Sequence, residues 1–144
     1  GSEMCIRDRA LGVPEERIIV DPGHDLNKNT RHTLEITRRL DEIATLGLPV
    51  LAAVSNKDFI GESLDRHRHE RLPGSLAAAA ACVYGGARIL RMHDADASVS
   101  AARMLECVFG WRQPARLVHN MGAENPPPDR STLAGHRAHR GGRA

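Results

Sequence analysis

The sequence predicts an α/β fold of three successive βα units, with parallel strands and helices packed on one outer face. Three observations carry this. An apolar strand that ends in a polar tip and leads into an amphipathic or alanine-rich helix occurs three times between residues 10 and 112. The strands are continuously apolar, the pattern of a parallel sheet covered by helices. Every constellation of chemically useful side chains falls just beyond the C-terminal end of a strand.

The first strand is Arg17-Ile18-Ile19-Val20, ending at Asp21-Pro22-Gly23. Its helix takes Asn29 or Thr30 as N-cap, passes Leu34, Ile36, Leu40 and Ile43 at helical spacing, and stops at Gly47. The second strand, Pro49 to Val54, ends in Ser55-Asn56-Lys57. A long polar loop then leads to a helix from Ser75 to Tyr84 that closes on Gly85-Gly86. The third strand, Ala87 to Leu90, ends in Arg91-Met92-His93-Asp94. Its helix runs from about Ser98 to Phe109, with Val99, Leu105 and Val108 expected to face inward. Three units cannot close a barrel, so the chain is either one edge of a doubly wound sheet or a part of a longer (β/α)8 barrel. The strand-end placement of the polar groups favours the barrel, whose sites are built on that face.

The two ends stand outside this pattern. Residues 1–9, GSEMCIRDR, are charged and aperiodic and read as a non-native junction. Residues 113–144 hold Pro126-Pro127-Pro128 and many Arg, His and Gly without apolar periodicity, and read as a disordered tail. Only four aromatics (Phe59, Phe109, Tyr84 and Trp111) are available, so Ala, Val, Leu and Ile have to build the core. A net charge of +2 with 26% charged residues gives a mixed surface that calls for neither nucleic acid nor an acidic membrane as partner. No apolar run approaches the roughly 20 residues needed to span a bilayer. Cys5, Cys82 and Cys107 form no C-x-x-C pair and suit free thiols in a reducing, cytoplasmic setting.

Asp21, Lys57, Arg91 and His93 share the strand-end position. Of 20 basic residues only Lys28 and Lys57 are lysines, and both fall on that face, where a compact ammonium is expected to be needed. Taken singly, each has an ordinary reading: Asp21 before Pro22-Gly23 as a turn former, Lys57 as a solvated lysine, His93 as a structural histidine. No glycine-rich phosphate loop, G-x-S-x-G elbow or metal-ligand spacing is present, which argues against nucleotide, serine-hydrolase and zinc chemistry. The His67-Arg68-His69 loop and the His136 to Arg140 stretch lack the strand or helix support that preorganises a metal or nucleic-acid site.

Three segments decide between these readings: Asp21-Pro22-Gly23-His24-Asp25-Leu26-Asn27-Lys28, Ser55-Asn56-Lys57-Asp58-Phe59-Ile60-Gly61, and Arg91-Met92-His93-Asp94. In order and spacing they resemble the D-P-G-x-G-F-x-K, S-R-K-x-F-I-G and R-x-H-D segments on successive late strands of the dihydropteroate synthase family. Glu70-Arg71 and Gly74-Ser75-Leu76-Ala77-Ala78 extend the likeness. The resemblance implies that residues 10–112 form the C-terminal three βα units of a pterin-binding (β/α)8 barrel. It implies a transferase of folate biosynthesis that condenses 6-hydroxymethyl-dihydropterin diphosphate with p-aminobenzoate and releases diphosphate. The full-length protein would be a homodimer, and this chain alone would be inactive.

By the same resemblance Asp21 hydrogen-bonds the pterin ring nitrogens, and Lys57 reaches the ring carbonyl and nitrogen from the other side. Arg91 packs on the pterin face and, with His93, holds the diphosphate, so Lys57, Arg91 and His93 are the expected catalytic set. Ser55, Asn56 and Asp58 complete the expected substrate contacts. Mg2+ on the diphosphate is the implied cofactor, with its principal ligand upstream of this sequence. No covalent enzyme intermediate is needed: diphosphate departs, the pterin delocalises the developing cation, and the amine attacks, so the protein positions groups and stabilises charge. Departures from the family also count. Asp25-Leu26-Asn27 replaces a flexible glycine and aromatic stretch, and Asn56 and Asp58 stand where the family has Arg and usually Ser. An acid at position 58 is expected to repel the p-aminobenzoate carboxylate by on the order of 1 kcal/mol. The alternative reading is therefore a non-catalytic or repurposed pterin-binding paralogue that has lost p-aminobenzoate use.

Overall fold

The structure, a computed structural model, describes residues 6–8 and 10–119. Positions 1–5 and 9 of the expected junction and positions 120–144 of the expected tail, the His136 to Arg140 stretch included, lie outside the described residues. A parallel bridge joins Val20 to Val50. Strand β1 (Leu51–Ala52) pairs in parallel with β2 (Ile89–Leu90), Leu51 opposite Ile89 and Ala52 opposite Leu90. The three segments thus neighbour one another in chain order, as successive strands of a (β/α)8 barrel do. The first is shorter than its sequence suggests. Pro14 fixes a 3-10 turn over Glu15–Arg17, and of the expected strand residues Val20 alone bridges its neighbour.

Helix α1 (Thr30–Arg38) starts where expected, with the Asn29 side chain accepting the His32 N–H at 2.9 Å. The helix does not continue unbroken to Gly47: Arg39 leaves helical geometry (φ −106°, ψ 27°), and α2 (Leu40–Ala44) follows as a separate turn. The loop expected between Lys57 and Ser75 contains a helix, α3 (Asp58–Leu64), and a 3-10 turn at Arg68–Glu70. Helix α4 (Leu72–Tyr84) begins a turn earlier than its alanine run indicates, because Pro73 occupies its first turn, where a missing N–H costs nothing. Ser75, Ala79 and Cys82 form its buried face at helical spacing, and these small side chains let it approach the sheet closely. Helix α5 (Ala95–Val108) also begins early. Its inward residue is Ser98 rather than those expected: Val99 and Val108 are exposed and Leu105 is half-buried.

Val50, Ala52 and Val54 point towards the helices and are fully buried with Leu40, Phe59, Ile60, Ala79, Cys82 and Ala87. The opposite face of the sheet carries Ile19, which is 55% exposed, and the half-buried Leu51 and Ile89. This apolar face is the one that lines the interior when a barrel closes. The described residues divide into two compact units, one ending at Leu105 and holding the sheet, the other beginning at Glu106. In the second, the Phe109 and Trp111 rings stack with centroids 4.7 Å apart, and residues 113–119 form neither helix nor strand. Among the described residues no helix is long and apolar enough to cross a membrane.

Leu40 is fully buried between α4 and the sheet cluster. Leu40→Ala in the full-length protein is expected to cost about 2–5 kcal/mol of stability, read from denaturant unfolding; a loss under half a kcal/mol would contradict this packing.

Candidate functional site

Strand alternation builds the site. Residues paired in a parallel ladder share a face, so Ile19, Leu51 and Ile89 lie on the uncovered side, and the same alternation carries Asp21, Ser55, Arg91 and His93 to that side just past the strand ends. There Asp25, Ser55, Asn56, Lys57, Asp58, Arg68, Arg71, Arg91 and His93 line an open cleft of about 380 Å³. Ser55, almost fully buried, accepts the His93 N–H at 3.2 Å and so ties the loop after β1 to the loop after β2.

The loop after β1 is held by Arg71. Its guanidinium donates to the carbonyls of Asn56 (3.0 Å) and Lys57 (3.3 Å) and pairs with the Asp58 carboxylate at 2.9 Å. Gly61 makes room for it, since a methyl group there would overlap the guanidinium. Asn56 adopts φ 56°, a left-handed conformation that asparagine tolerates. Its N–H donates to Ser75 Oγ at 3.0 Å, and its side-chain oxygen lies 3.5 Å from the same hydroxyl. Asn56 therefore faces α4 and positions the loop.

Asp58, expected to repel an anionic substrate, instead has a cation beside it, which offsets its charge. Asp25, the other acid of the cleft, accepts from Thr33 and from the Phe59 N–H. With both acids engaged, Lys57, Arg68 and Arg91 have no ion-pair partner among the described residues. The unpaired side chains of the cleft are therefore basic.

Asp21 does not line this cleft. One carboxylate oxygen accepts the Gly23 N–H at 2.8 Å, closing the turn that its Pro-Gly context suggests. Lys28 is also absent from the cleft: its ammonium donates to the carbonyls of Gly23 (3.2 Å) and Leu26 (3.0 Å) and knits the first loop together.

The family described as pterin binding enzyme matches residues 3–93. The chain belongs to this family. Among curated relatives of the pterin-binding enzymes, it is 42% identical over 112 residues to the inactive dihydropteroate synthase 2 of Mycobacterium leprae, covering 78% of this chain and 38% of that one. It is 35% identical over 114 residues to the dihydropteroate synthase of Escherichia coli, covering 79% and 40%. The chain thus spans about two fifths of the length of the curated relatives it matches. Among solved structures, the Yersinia pestis dihydropteroate synthase superposes with a TM-score of 0.73 at 29% identity, covering 76% of this chain and 51% of that one. The Coxiella burnetii dihydropteroate synthase in complex with pteroic acid gives 0.72 at 35% identity, covering 77% and 41%. The architecture is therefore that of βα units from a pterin-binding (β/α)8 barrel.

Among the described residues no group of three or more His, Cys, Asp or Glu side chains could hold a metal ion. Asp25 and Asp58, the carboxylates of the cleft, are already engaged by Thr33, Phe59 and Arg71. The described residues therefore do not supply a ligand set for Mg2+.

Four residues near the cleft escaped assignment from sequence. Arg68, Arg71 and Asp25 line it, and His24 lies fully buried beneath it. The His24 ring stacks on Phe59 with centroids 6.3 Å apart, its Nε2 is 3.9 Å from Cys82 Sγ, and its Nδ1 has no hydrogen-bond partner among the described residues. Burial lowers its pKa below the ordinary 6.5, against the pull of Asp21 and Asp25 and with help from Lys57 and Lys28. Burial likewise pushes the Cys82 thiol up to about 11, so it stays protonated and inert.

Because the unfolded chain takes up the His24 proton first, stability is expected to fall as pH drops below 6.5 towards the folded pKa, with no such slope above 6.5. Unfolding midpoints of wild type and His24→Leu at pH 7.5, 6.5 and 5.5 measure this. The variant should lose less on acidification; an identical pH dependence would contradict a buried neutral imidazole.

Proposed function

We propose that the full-length protein containing this sequence binds 6-hydroxymethyl-dihydropterin diphosphate and acts as a dihydropteroate synthase-type transferase with p-aminobenzoate as second substrate. The observation that carries this reading is the convergence of Lys57, Arg91 and His93. They come from the loops after two different strands and line one cleft with Ser55, and among the described residues Lys57 and Arg91 have no ion-pair partner. Loss of diphosphate builds negative charge on the leaving group, and fixed cations at the strand ends stabilise that charge without reorganising. The second oxygen of Asp21 has no donor among the described residues and is available to a pterin ring N–H. Family membership and the pteroic acid bound to the Coxiella relative support the same ligand class. The reading places the protein in the cytoplasm, as a homodimer, and leaves this chain inactive on its own, since the remaining strands of a barrel supply the facing wall.

One observation favours a second reading, a pterin-binding paralogue without synthase activity. Asn56 turns its side chain to Ser75 and brings no charge to the second-substrate side, and the Mycobacterium leprae relative is described as inactive. The Arg71 pair weighs the other way, because it offsets the Asp58 charge that would repel p-aminobenzoate.

Calorimetric titration of the full-length protein with a pterin diphosphate analogue, then with p-aminobenzoate, separates the two readings. Binding of both, with diphosphate released from true substrates, is the expected result; binding of the pterin alone selects the paralogue, and binding of neither rejects both. Arg91→Ala is expected to weaken the analogue about tenfold or more, the loss of a hydrogen bond to a charged group. An unchanged affinity would remove Arg91 from the site.

A further inference from the structure

The loop between the first strand and α1 adopts three left-handed residues in a short span: Gly23 (φ 68°), Asp25 (φ 60°) and Asn27 (φ 50°). Aspartate and asparagine tolerate that backbone better than other side chains do, and at Asp25 neighbouring contacts hold it in place. The contacts belong to Asp25. Its N–H donates to Thr33 Oγ1 at 3.2 Å, and its Oδ1 accepts from the same hydroxyl at 3.0 Å, which satisfies a fully buried threonine of α1. Its Oδ2 accepts the Phe59 N–H at 3.2 Å. That N–H lies in the first turn of α3, where backbone donors have no partner within the helix, and Lys57 at the N-cap provides no side-chain acceptor. Asp25 thus caps α3 from 34 residues away in sequence, with a negative charge at the positive end of the helix. A second link runs alongside, from the Thr30 hydroxyl of α1 to the Glu62 carboxylate of α3.

We propose that Asp25 is a positioning residue that fastens the loop after the first strand to the start of α3, and so fixes the separation between the two walls of the cleft. The first wall is Asp25 itself, in the loop after the first strand; the second carries Ser55, Asn56 and Lys57 immediately before the capped helix. Arg71 holds the second wall through the Asn56 and Lys57 carbonyls, and Asp25 holds it through the Phe59 N–H. Without Asp25 the first loop keeps its internal Lys28 bonds but loses its anchors on α1 and α3. The proposal rests on the pterin diphosphate reading for its ligand, while the latch has a readout that needs no ligand.

The test uses the full-length protein and three variants: Asp25→Ala, which removes both acceptors, Asp25→Asn, which retains one carbonyl acceptor for Thr33, and Thr33→Val. Hydrogen exchange follows the Phe59 and Leu26 amides, and calorimetry follows a pterin diphosphate analogue. In Asp25→Ala the Phe59 amide is expected to exchange at least about tenfold faster and the analogue to bind about tenfold more weakly, the loss of hydrogen bonds to a charged group. Asp25→Asn should recover part of the affinity, and Thr33→Val should add little on top of Asp25→Ala, because both cut the same link. Unchanged Phe59 exchange in folded Asp25→Ala or Asp25→Asn overturns the latch. Faster exchange with ligand affinity within twofold of wild type overturns its positioning role. A wild-type protein that binds no analogue overturns the functional reading and with it the positioning role, while exchange still decides whether the latch exists.

Discussion

Arg71 reaches from the start of α4 to the loop after β1, where its guanidinium meets two backbone carbonyls and the Asp58 carboxylate. Most of the cleft follows from that contact. It holds Asn56 in its left-handed conformation next to Ser75, sets the direction in which Lys57 leaves the sheet, and takes up the charge of Asp58. Its side chain is 14% exposed, so several donors are withdrawn from water and each needs its acceptor. Gly61 is part of the same arrangement, because only a residue without a side chain leaves the guanidinium its place. The geometry of the site is thus set by an arginine whose own charge is already spent.

That division between spent and unspent charge gives the cleft its chemistry. Arg71 and Asp58 offset one another, and Asp25 is committed to Thr33 and Phe59. Lys57, Arg68 and Arg91 remain, on a face whose apolar underside is set by Leu51 and Ile89. A flat, polar heterocycle with an anionic tail suits such a surface better than a purely apolar or a cationic ligand. Under the cleft, His24 and Cys82 are kept neutral by burial, so the positive field arises from the loops alone.

The three-unit α/β plan was legible from the sequence because parallel strands buried against helices read as unbroken apolar runs, and because Asn29 and Gly85-Gly86 mark helix ends in local chemistry. The placement of Ser55, Lys57, Arg91 and His93 was legible for a related reason: strand ends are visible, and side chains just beyond them converge. Helix α3 was not, since it has only seven residues and takes its cap from Asp25, far away in sequence. The same distance hid Arg71, whose partners lie on a preceding loop. Asp58 looked repulsive because its neutralising partner cannot be read from its neighbours. Val99 and Val108 looked inward by period alone, yet α5 turns Ser98 to the interior.

In the proposed function the loops after β1 and β2 form one anion-binding wall of a pterin site. A crystal structure of the full-length protein with a pterin diphosphate analogue tests it most directly. Diphosphate oxygens are expected within hydrogen-bonding distance of Arg91 and His93 and the pterin ring against Lys57, with the Arg71 to Asp58 pair intact. A ligand bound elsewhere, or a cleft in which Arg71 has released the loop to bind the anion itself, would contradict it.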